Sequence, residues 1–139
     1  MHSDFTFSII KPDALGSGKA GAILNRIEEA GFTMAAIKML HLTRRQAEKF
    51  YEVHRDRGFF PGLVEFMTSA PVIVMILKHD NAVEEFRRLI GATDPAKAEK
   101  GTIRADFATD VQRNAVHGSD SPENAAREAG FFFSAIEIF

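Results

Sequence analysis

His117 is placed to do chemistry, because it lies between the apolar pair Ala115-Val116 and a run of small polar residues, Gly118-Ser119-Asp120-Ser121. Ser121 is a typical N-cap and Pro122 a typical first helical residue, so the pattern predicts a helix that begins just past the imidazole. The free N–H groups and the positive end of such a helix favour an anion nearby. We interpret the run as a phosphate site beside a nucleophile.

The other histidines of the chain support a plainer interpretation. They have no such surroundings, and histidines in general are often ordinary surface or half-buried residues. Spacing alone therefore leaves open whether His117 is a nucleophile or a structural residue. The others are His2, His41, His54 and His79.

Composition limits the chemistry of this 139-residue chain. Cysteine is absent, which excludes thiol catalysis, cysteine-based metal sites and disulfides and is compatible with a reducing compartment. The 17 basic and 19 acidic side chains give a net charge of −2, so no broad positive field exists to gather nucleic acid. A phosphate would be held by a local cluster. The length suits one domain, which we expect residues 1–139 to form.

The N-terminal residues and the apolar runs give no sign of a membrane protein. Residues 1–4 are polar and lead directly into a strand-like run, without the pattern of a signal peptide. The longest apolar run, 71–77, is far shorter than the ~20 residues of a bilayer-spanning helix. We expect a soluble, cytoplasmic protein with no membrane partner.

Hydrophobic periodicity predicts alternating strands and helices. Strands are predicted at 5–10, 32–40, 72–77 and 115–116, with 72–77 central and covered on both faces. Helices are predicted over 20–30, ending at Gly31, and over 122–129. A third is predicted after a Thr43 cap, with Ala47, Phe50 and Tyr51, and a fourth after Pro61, with Leu63, Val64 and Met67. A fifth follows an Asn81 cap, carries Val83, Phe86, Leu89 and Ile90, and ends at Gly91. Residues 91–113 are predicted as a loop with a functional or interface role, and 131–133 as an apolar tail segment.

This order of elements predicts a ferredoxin-like α/β sandwich. Its βαββαβ core has an antiparallel four-stranded sheet with helices on one face. Lys11 then stands at the exit of the first strand. The fold hosts many functions and does not decide between them.

The glycine-rich segment Gly16-Ser17-Gly18-Lys19-Ala20-Gly21 matches G-x-G-x-x-G but is not interpreted as a dinucleotide site. Residues 11–15 separate it from the strand, and the second strand ends without an acid to hold a ribose. Gly18-Lys19-Ala20 also lacks the Ser or Thr of a phosphate-binding loop. We expect a surface turn here.

The segment Asn114-Ala115-Val116-His117-Gly118-Ser119-Asp120-Ser121 resembles the active-site signature of nucleoside diphosphate kinases, Asn-x-x-His-Gly-Ser-Asp. Five more segments resemble that family in the same order, and together they cover nearly the whole chain. They are Ile10-Lys11-Pro12-Asp13-Ala14, Phe59-Phe60-Pro61-Gly62-Leu63-Val64, Ser69-Ala70-Pro71-Val72, Gly91-Ala92-Thr93-Asp94-Pro95 and Gly101-Thr102-Ile103-Arg104-Ala105-Asp106-Phe107.

The resemblance implies that His117 accepts the γ-phosphate of a nucleoside triphosphate and passes it to a diphosphate, by a ping-pong reaction through phosphohistidine. It implies that Glu128 orients the imidazole through its other nitrogen and that Ser119 supplies a neighbouring hydroxyl. Mg²⁺ is expected to enter with the nucleotide, and Asp120 to touch it only through water. The implied partners are nucleoside di- and triphosphates and further copies of the chain, in a tetramer or hexamer.

The remaining implied residues hold the nucleotide. The cations Lys11, Arg87 and Arg104 match groups that hold phosphate oxygens. Tyr51 and Thr93 match further phosphate contacts of the family, and Lys11 and Asn114 match its sugar contacts. The apolar slot that takes the base in the family is matched by Phe59, Leu63 and Val111. Because stacking tolerates any base, broad nucleotide specificity is expected. From the residues alone, the cations could be exposed charges, which is our interpretation of Arg88, and Phe59 could be a core residue.

Two residues depart from the family pattern. Gly58 stands where the family has proline before Phe59-Phe60, and Ala70 stands where it has glycine in Ser-Gly-Pro. Neither carries the implied chemistry. We expect Gly58 to loosen the helical hairpin that covers the nucleotide.

Two alternative functions make different demands on the sequence. An RNA-binding module would need paired aromatics in a Lys/Arg-Gly-Phe/Tyr run and a basic surface, and the sequence has neither. The possibility that the chain binds nucleotide without turnover stays open. Acid-labile, base-stable label transferred to the protein from ATP would separate an enzyme from such a binding protein.

Overall fold

A four-stranded antiparallel sheet in the order β2-β3-β1-β4 forms the centre of the computed structural model, which describes residues 4–139. The strands are β1 (Phe5–Ile10), β2 (Thr33–Leu40), β3 (Val72–Lys78) and β4 (Val116–Gly118). This order confirms the ferredoxin-like fold. The short strand β4 pairs with the end of β1, where Ile9 lies opposite His117.

Helices pack on both faces of the sheet. They are α1 (Pro12–Gly16), α2 (Ala20–Glu29), α3 (Arg44–Phe50), α4 (Phe60–Met67), α5 (Ala82–Ile90), α6 (Ile103–Phe107) and α7 (Pro122–Phe132). The crossover helices α2 and α5 share one face, as the βαββαβ core predicts, and α3, α4 and α7 cover the opposite face.

The alternation of β1 produces the two apolar cores. Phe7 and Ile9 lie in the core under α3, α4 and α7, whereas Ile10 lies in the core under α2 and α5. Strand β3 alternates in the same way and is buried on both faces, as its continuous apolar sequence predicts.

The segment 91–113 contains more structure than the predicted loop. It holds a 3₁₀ turn at Pro95–Lys97 and helix α6 at Ile103–Phe107. The Thr102 side chain caps α6 by accepting from Ala105 N, which is a common use of threonine at a helix start.

Two other predicted boundaries and one predicted cap need correction. Strand β4 extends through Gly118, so His117 lies within a strand rather than after one. Helix α7 continues to Phe132, past the predicted end at 129, because the Phe132 ring stacks on Phe7 with centroids 5.2 Å apart. Asn81 precedes α5 as predicted, but its side chain donates to Glu84 Oε2 at 2.9 Å instead of capping the helix.

Within residues 4–139, no helix combines the length and the apolar character needed to cross a membrane.

Candidate functional site

A cavity of about 610 Å³ opens where the ends of β1 and β4 meet α3, α4 and the segment 91–113. Every predicted site residue except Ser119 lines it. Ser119 is fully buried behind Glu128. The cavity is also lined by residues that the sequence did not single out: Phe50, Val53, His54, Gln112, Gly118, Asn124 and Arg127.

The His117 imidazole is held by Glu128. Its Nε2 lies 2.9 Å from Glu128 Oε1, and Ser119 Oγ donates to the same carboxylate oxygen at 2.6 Å. Because an ionised carboxylate only accepts hydrogen bonds, this arrangement places the ring proton on Nε2. No group among residues 4–139 hydrogen-bonds Nδ1, so this nitrogen keeps its lone pair for another partner.

Aromatic rings enclose the other sides of the imidazole. The Phe7 and Phe50 centroids each lie 6.1 Å from that of His117. The side chain of His117 is 22% exposed, whereas that of Glu128 is 8% exposed. The carboxylate therefore supports the ring from the protein interior, and the ring faces the cavity.

Lys11 is a buried cation at the exit of β1. Its Nζ donates to Asn114 Oδ1 at 2.8 Å, and Asn114 Nδ2 donates in turn to Thr93 O at 3.1 Å. Burial, and to a smaller extent the charge of Arg104, lowers the pKa of Lys11 from 10.5 to about 8, although Asp13 opposes the shift. Phosphate oxygens in the cavity would give this ammonium a second negatively charged partner beside Asp13.

Arg104 of α6 is fixed by the backbone of the site. Its guanidinium donates to Asn114 O at 3.3 Å, Gly91 O at 3.0 Å and Val116 O at 2.8 Å. Burial and the nearby Arg87 lower the pKa of Arg104 to about 10. It remains a cation at neutral pH, and it ties α6 to the strand that carries His117.

Exposure falls with depth in the cavity. Phe59 and Val111, at the mouth, are 53% and 57% exposed, whereas Tyr51 is 8% exposed. The Tyr51 hydroxyl is buried without a hydrogen-bond partner among residues 4–139, and burial, followed by the Glu128 charge, raises its pKa. This neutral donor is therefore available to an anion in the cavity.

A family model described as nucleoside diphosphate kinase matches residues 4–138. The chain belongs to the nucleoside diphosphate kinase family. It is 57% identical to a nucleoside diphosphate kinase of Pasteurella multocida over 139 residues, all of both chains. It is 56% identical to nucleoside diphosphate kinase 1 of Protochlamydia amoebophila over 138 residues, which are 99% of this chain and 98% of the relative.

Solved structures of the family share the fold. The nucleoside diphosphate kinase of Aquifex aeolicus is 45% identical with a TM-score of 0.96 over the whole of both chains. That of Halobacterium salinarum, solved in complex with CDP, is 37% identical with a TM-score of 0.94, over 99% of this chain and 91% of that one. The chain is thus a nucleoside diphosphate kinase, and its activity is phosphotransfer between nucleotides.

Asp120 is the exposed carboxylate of the kinase cavity. Asn124 Nδ2 donates to its Oδ1 at 2.6 Å, and this bond, with a smaller contribution from Arg87, lowers the pKa of Asp120. The other lining carboxylate, Glu128, is already bonded to His117 and Ser119. Residues 4–139 contain no group of three or more His, Cys, Asp or Glu side chains arranged to hold a metal. Such a donor set fits a Mg²⁺ that is held mainly by phosphate oxygens and water.

Asn124 and Arg127 were missed by the sequence argument. Asn124 stands four residues before Glu128 on α7 and so shares its helical face. Arg127 Nη2 lies 3.6 Å from Glu128 Oε2, and its guanidinium lies over the Phe50 ring at 5.8 Å. Helical spacing from Glu128 could have found Asn124; the contact of Arg127 with the adjacent carboxylate was visible only in three dimensions.

Proposed function

We propose that the kinase transfers the γ-phosphate of a nucleoside triphosphate to a nucleoside diphosphate by a ping-pong mechanism, with phosphohistidine at Nδ1 of His117. The observation that carries this proposal is the bond between His117 Nε2 and Glu128, because it leaves Nδ1 as the nitrogen with a free lone pair.

In the first half-reaction, the Nδ1 lone pair attacks the γ-phosphorus and the bond to the β–γ bridging oxygen breaks, so the diphosphate leaves. Positive charge develops on the imidazole, and Glu128 stabilises it through Nε2. In the second half-reaction, a β-phosphate oxygen of another diphosphate attacks the same phosphorus. The N–P bond then breaks and restores the neutral imidazole.

Cationic and polar groups would hold the transferred phosphate. Lys11 and Arg104 are buried beside the β4 strand, and Arg87 is an exposed cation of the same cavity. The phosphoryl transition state spreads charge over its oxygens, so several fixed donors stabilise it. We assign the remaining phosphate contacts to the Tyr51 hydroxyl and to Thr93.

The sugar and the base would occupy the outer part of the cavity. The linked side chains of Lys11 and Asn114 would contact the sugar hydroxyls. The base would stack against Phe59, Leu63 and Val111, which offer apolar surface and no hydrogen-bond pattern that selects one base. Tolerance of base and sugar identity follows from these contacts.

The proposal includes Mg²⁺ bound with the nucleotide. Held with the nucleotide, the ion would supply positive charge that offsets the charge on the leaving diphosphate. Asp120 is the residue that would reach its water shell, because it lines the cavity and its carboxylate is ionised at neutral pH.

Labelling with ATP that carries radioactive γ-phosphate tests the mechanism. Wild type should acquire acid-labile, base-stable label and return it to an added diphosphate, and initial rates should give parallel lines in double-reciprocal plots. The variant His117→Ala should lose both labelling and transfer. The matched control is His54→Ala, which removes another cavity imidazole that lies beside Phe59, away from Glu128. Intersecting lines, or label on His117→Ala, would refute the proposal.

We further propose that residues 1–139 form a single kinase domain, because the family match spans 4–138 and one sheet organises the chain. We also propose a homo-oligomer, a tetramer or hexamer. Strand β2 lies at a sheet edge and exposes Ile37 and Met39, by 47% and 63%, and such an edge can pair with a second copy. Light scattering tests the mass, and cell fractionation tests the cytoplasmic location expected from the nucleotide substrates.

A further inference from the structure

The residue two positions before His117 has an unusual backbone. Ala115 has a φ of +72°, and Val116 N donates to Asn114 O at 2.9 Å across it. These features describe a γ-turn with a positive central φ, which is rare and strained for a residue with a Cβ. Such a turn persists only where its surroundings hold it.

The surroundings of Ala115 come from the corner between β1 and α1. Asp13 Oδ2 accepts from Ala115 N at 3.1 Å, and Lys11 N donates to Ala115 O at 2.9 Å. Both backbone groups of the strained residue are therefore tied to a segment more than 100 positions earlier in the chain. Of these ties, the one from Asp13 is made by a side chain.

The Asp13 carboxylate is partly removed from water, and its neighbours compensate the loss. Burial raises the pKa of Asp13, whereas hydrogen bonds from the backbone N–H groups of Ala115, Asp13 and Ala14 and the charge of Lys11 oppose the shift. The bond from Ala115 N is the largest of these opposing contributions, and it is the one that comes from the distant strained residue. Burial of this carboxylate is thus compensated most by the bond that holds Ala115.

The γ-turn connects two parts of the phosphate site. On its N-terminal side, Asn114 reaches Lys11 Nζ at 2.8 Å and Thr93 O at 3.1 Å. On its C-terminal side, Val116 begins β4, which carries His117. A change of φ at Ala115 would therefore rotate Asn114 and Lys11 relative to the imidazole.

We propose that Asp13 is a positioning residue for phosphotransfer: its carboxylate holds Ala115 N and so maintains the γ-turn that sets Asn114 and Lys11 relative to His117. This assignment rests on the proposed function, since it takes those three residues as the site.

Three substitutions separate this role from a general contribution to folding. Asp13→Asn keeps an oxygen that can accept from Ala115 N and should retain most of the turnover number. Asp13→Ala removes the acceptor and should lower kcat about 100-fold, the scale expected when reacting groups are misplaced by roughly 1 Å. In Asp13→Ala/Ala115→Gly, glycine adopts the positive φ without strain, and kcat should recover.

The rescue is diagnostic when kcat and stability are measured side by side. Ala115→Gly deletes a fully buried methyl group and adds unfolded-state freedom, but it also relieves the strain of the positive φ, so the urea midpoint of the double variant should change little while kcat rises. If Asp13→Ala lowered kcat only by destabilising the protein, kcat would recover only together with the urea midpoint. If Asp13→Ala does not fold, Asp13→Ser replaces it, because its hydroxyl is one bond shorter than the carboxylate.

A double-mutant cycle with Asn114→Ala gives the second readout. If Asp13 acts through Asn114, the Asp13→Ala substitution should cost little further kcat in the Asn114→Ala background. Full activity of Asp13→Ala, equal loss in Asp13→Asn, additive losses in the cycle, or failure of Ala115→Gly to restore a folded Asp13→Ala protein would overturn the proposal. Failure of the phosphohistidine mechanism is seen separately, as absence of label on the wild type.

Discussion

Arg26 of α2 forms an ion pair with Asp106 of α6, although the two residues are 80 positions apart in the chain. The same guanidinium donates to Gly101 O at 3.0 Å and lies 5.3 Å from the centre of the Phe107 ring. One half-buried arginine thus holds the start and the end of the helix that positions Arg104 in the cavity.

We expect Arg26→Ala to raise the KM for nucleotides with little loss of stability. An exposed ion pair contributes little to the free energy of unfolding, but loss of three contacts at once should let α6 move away from β4. A roughly fivefold rise in KM corresponds to ~1 kcal/mol of binding. Steady-state kinetics and urea unfolding measure the two effects.

The control for that experiment is Arg88→Ala. Arg88 pairs with Glu84 and Glu85 on its own helix, α5, and does not line the cavity. Equal KM values in Arg26→Ala and wild type would show that α6 is held without Arg26.

The low pKa of Lys11 predicts an alkaline limit to activity. The free enzyme should lose kcat/KM as the pH rises through about 8, because the ammonium that we propose to bind phosphate becomes neutral. In the pH profile of kcat, this alkaline limit should lie at higher pH, because bound phosphate favours the charged form of Lys11. Lys11→Arg should show no limit near pH 8, and a wild-type kcat/KM that stays constant to pH 9.5 would contradict this assignment.

The same group affects stability with the opposite sign. Between about 8 and 10.5 the unfolded chain binds the Lys11 proton and the folded protein does not. The contribution of Lys11 to the free energy of unfolding therefore rises with pH in that window.

Glu128→Gln should slow phosphorylation of His117 without preventing it. The amide oxygen can still accept from Nε2, but it carries no charge to stabilise the developing imidazolium. We expect the rate of label uptake in rapid-quench measurements to fall about 10- to 100-fold. Glu123→Gln removes an exposed charge from the same helix and is the matched control. Unchanged uptake in Glu128→Gln would remove the carboxylate from the mechanism.

Phe59→Ala should weaken the binding of all nucleotides by a similar factor. A stacking ring contributes ~1–3 kcal/mol per base and does not distinguish one base from another. In the wild type, ATP and GTP should serve as donors, and ribo- and deoxyribonucleoside diphosphates as acceptors, with similar kcat/KM. Discrimination between purine acceptors above ~100-fold would indicate hydrogen-bond recognition of the base.

Gly58→Pro should stabilise the protein by ~0.4–1 kcal/mol through the unfolded state. A Cβ at Gly58 would meet no atom within 4 Å, and no hydrogen bond from its N–H is present within residues 4–139. Gly118→Ala provides the contrast, because its Cβ would lie 2.9 Å from Phe86 Cδ2 and should destabilise by about 1–3 kcal/mol. A lower urea midpoint for Gly58→Pro at matched protein concentration would refute the first expectation.

Long periodic elements were predictable from the sequence, and short ones were not. The apolar spacing of α5 and the following Gly91 predicted that helix correctly, because its buried face repeats over more than two turns. Helix α6 has five residues, too few to show a period, and it depends on the Thr102 cap and on tertiary contacts.

The site was predictable to a similar extent. The spacing around His117 indicated the phosphate chemistry, and the family resemblance brought the distant cavity residues together. The bond from Asp13 to Ala115 N joins two local sequences that look ordinary by themselves, and the positive φ at Ala115 has no sequence signature because the residue is not glycine.

The gradient of exposure along the cavity has a practical outcome for ligands. In the proposed binding mode, the deepest groups, Lys11 and Arg104, would contact the phosphates and sugar that every nucleotide has in common, and the base would stay near bulk water between Phe59 and Val111. Reporter groups attached to the outer edge of a base should therefore be carried through turnover, which would make this kinase a catalyst for preparing labelled triphosphates.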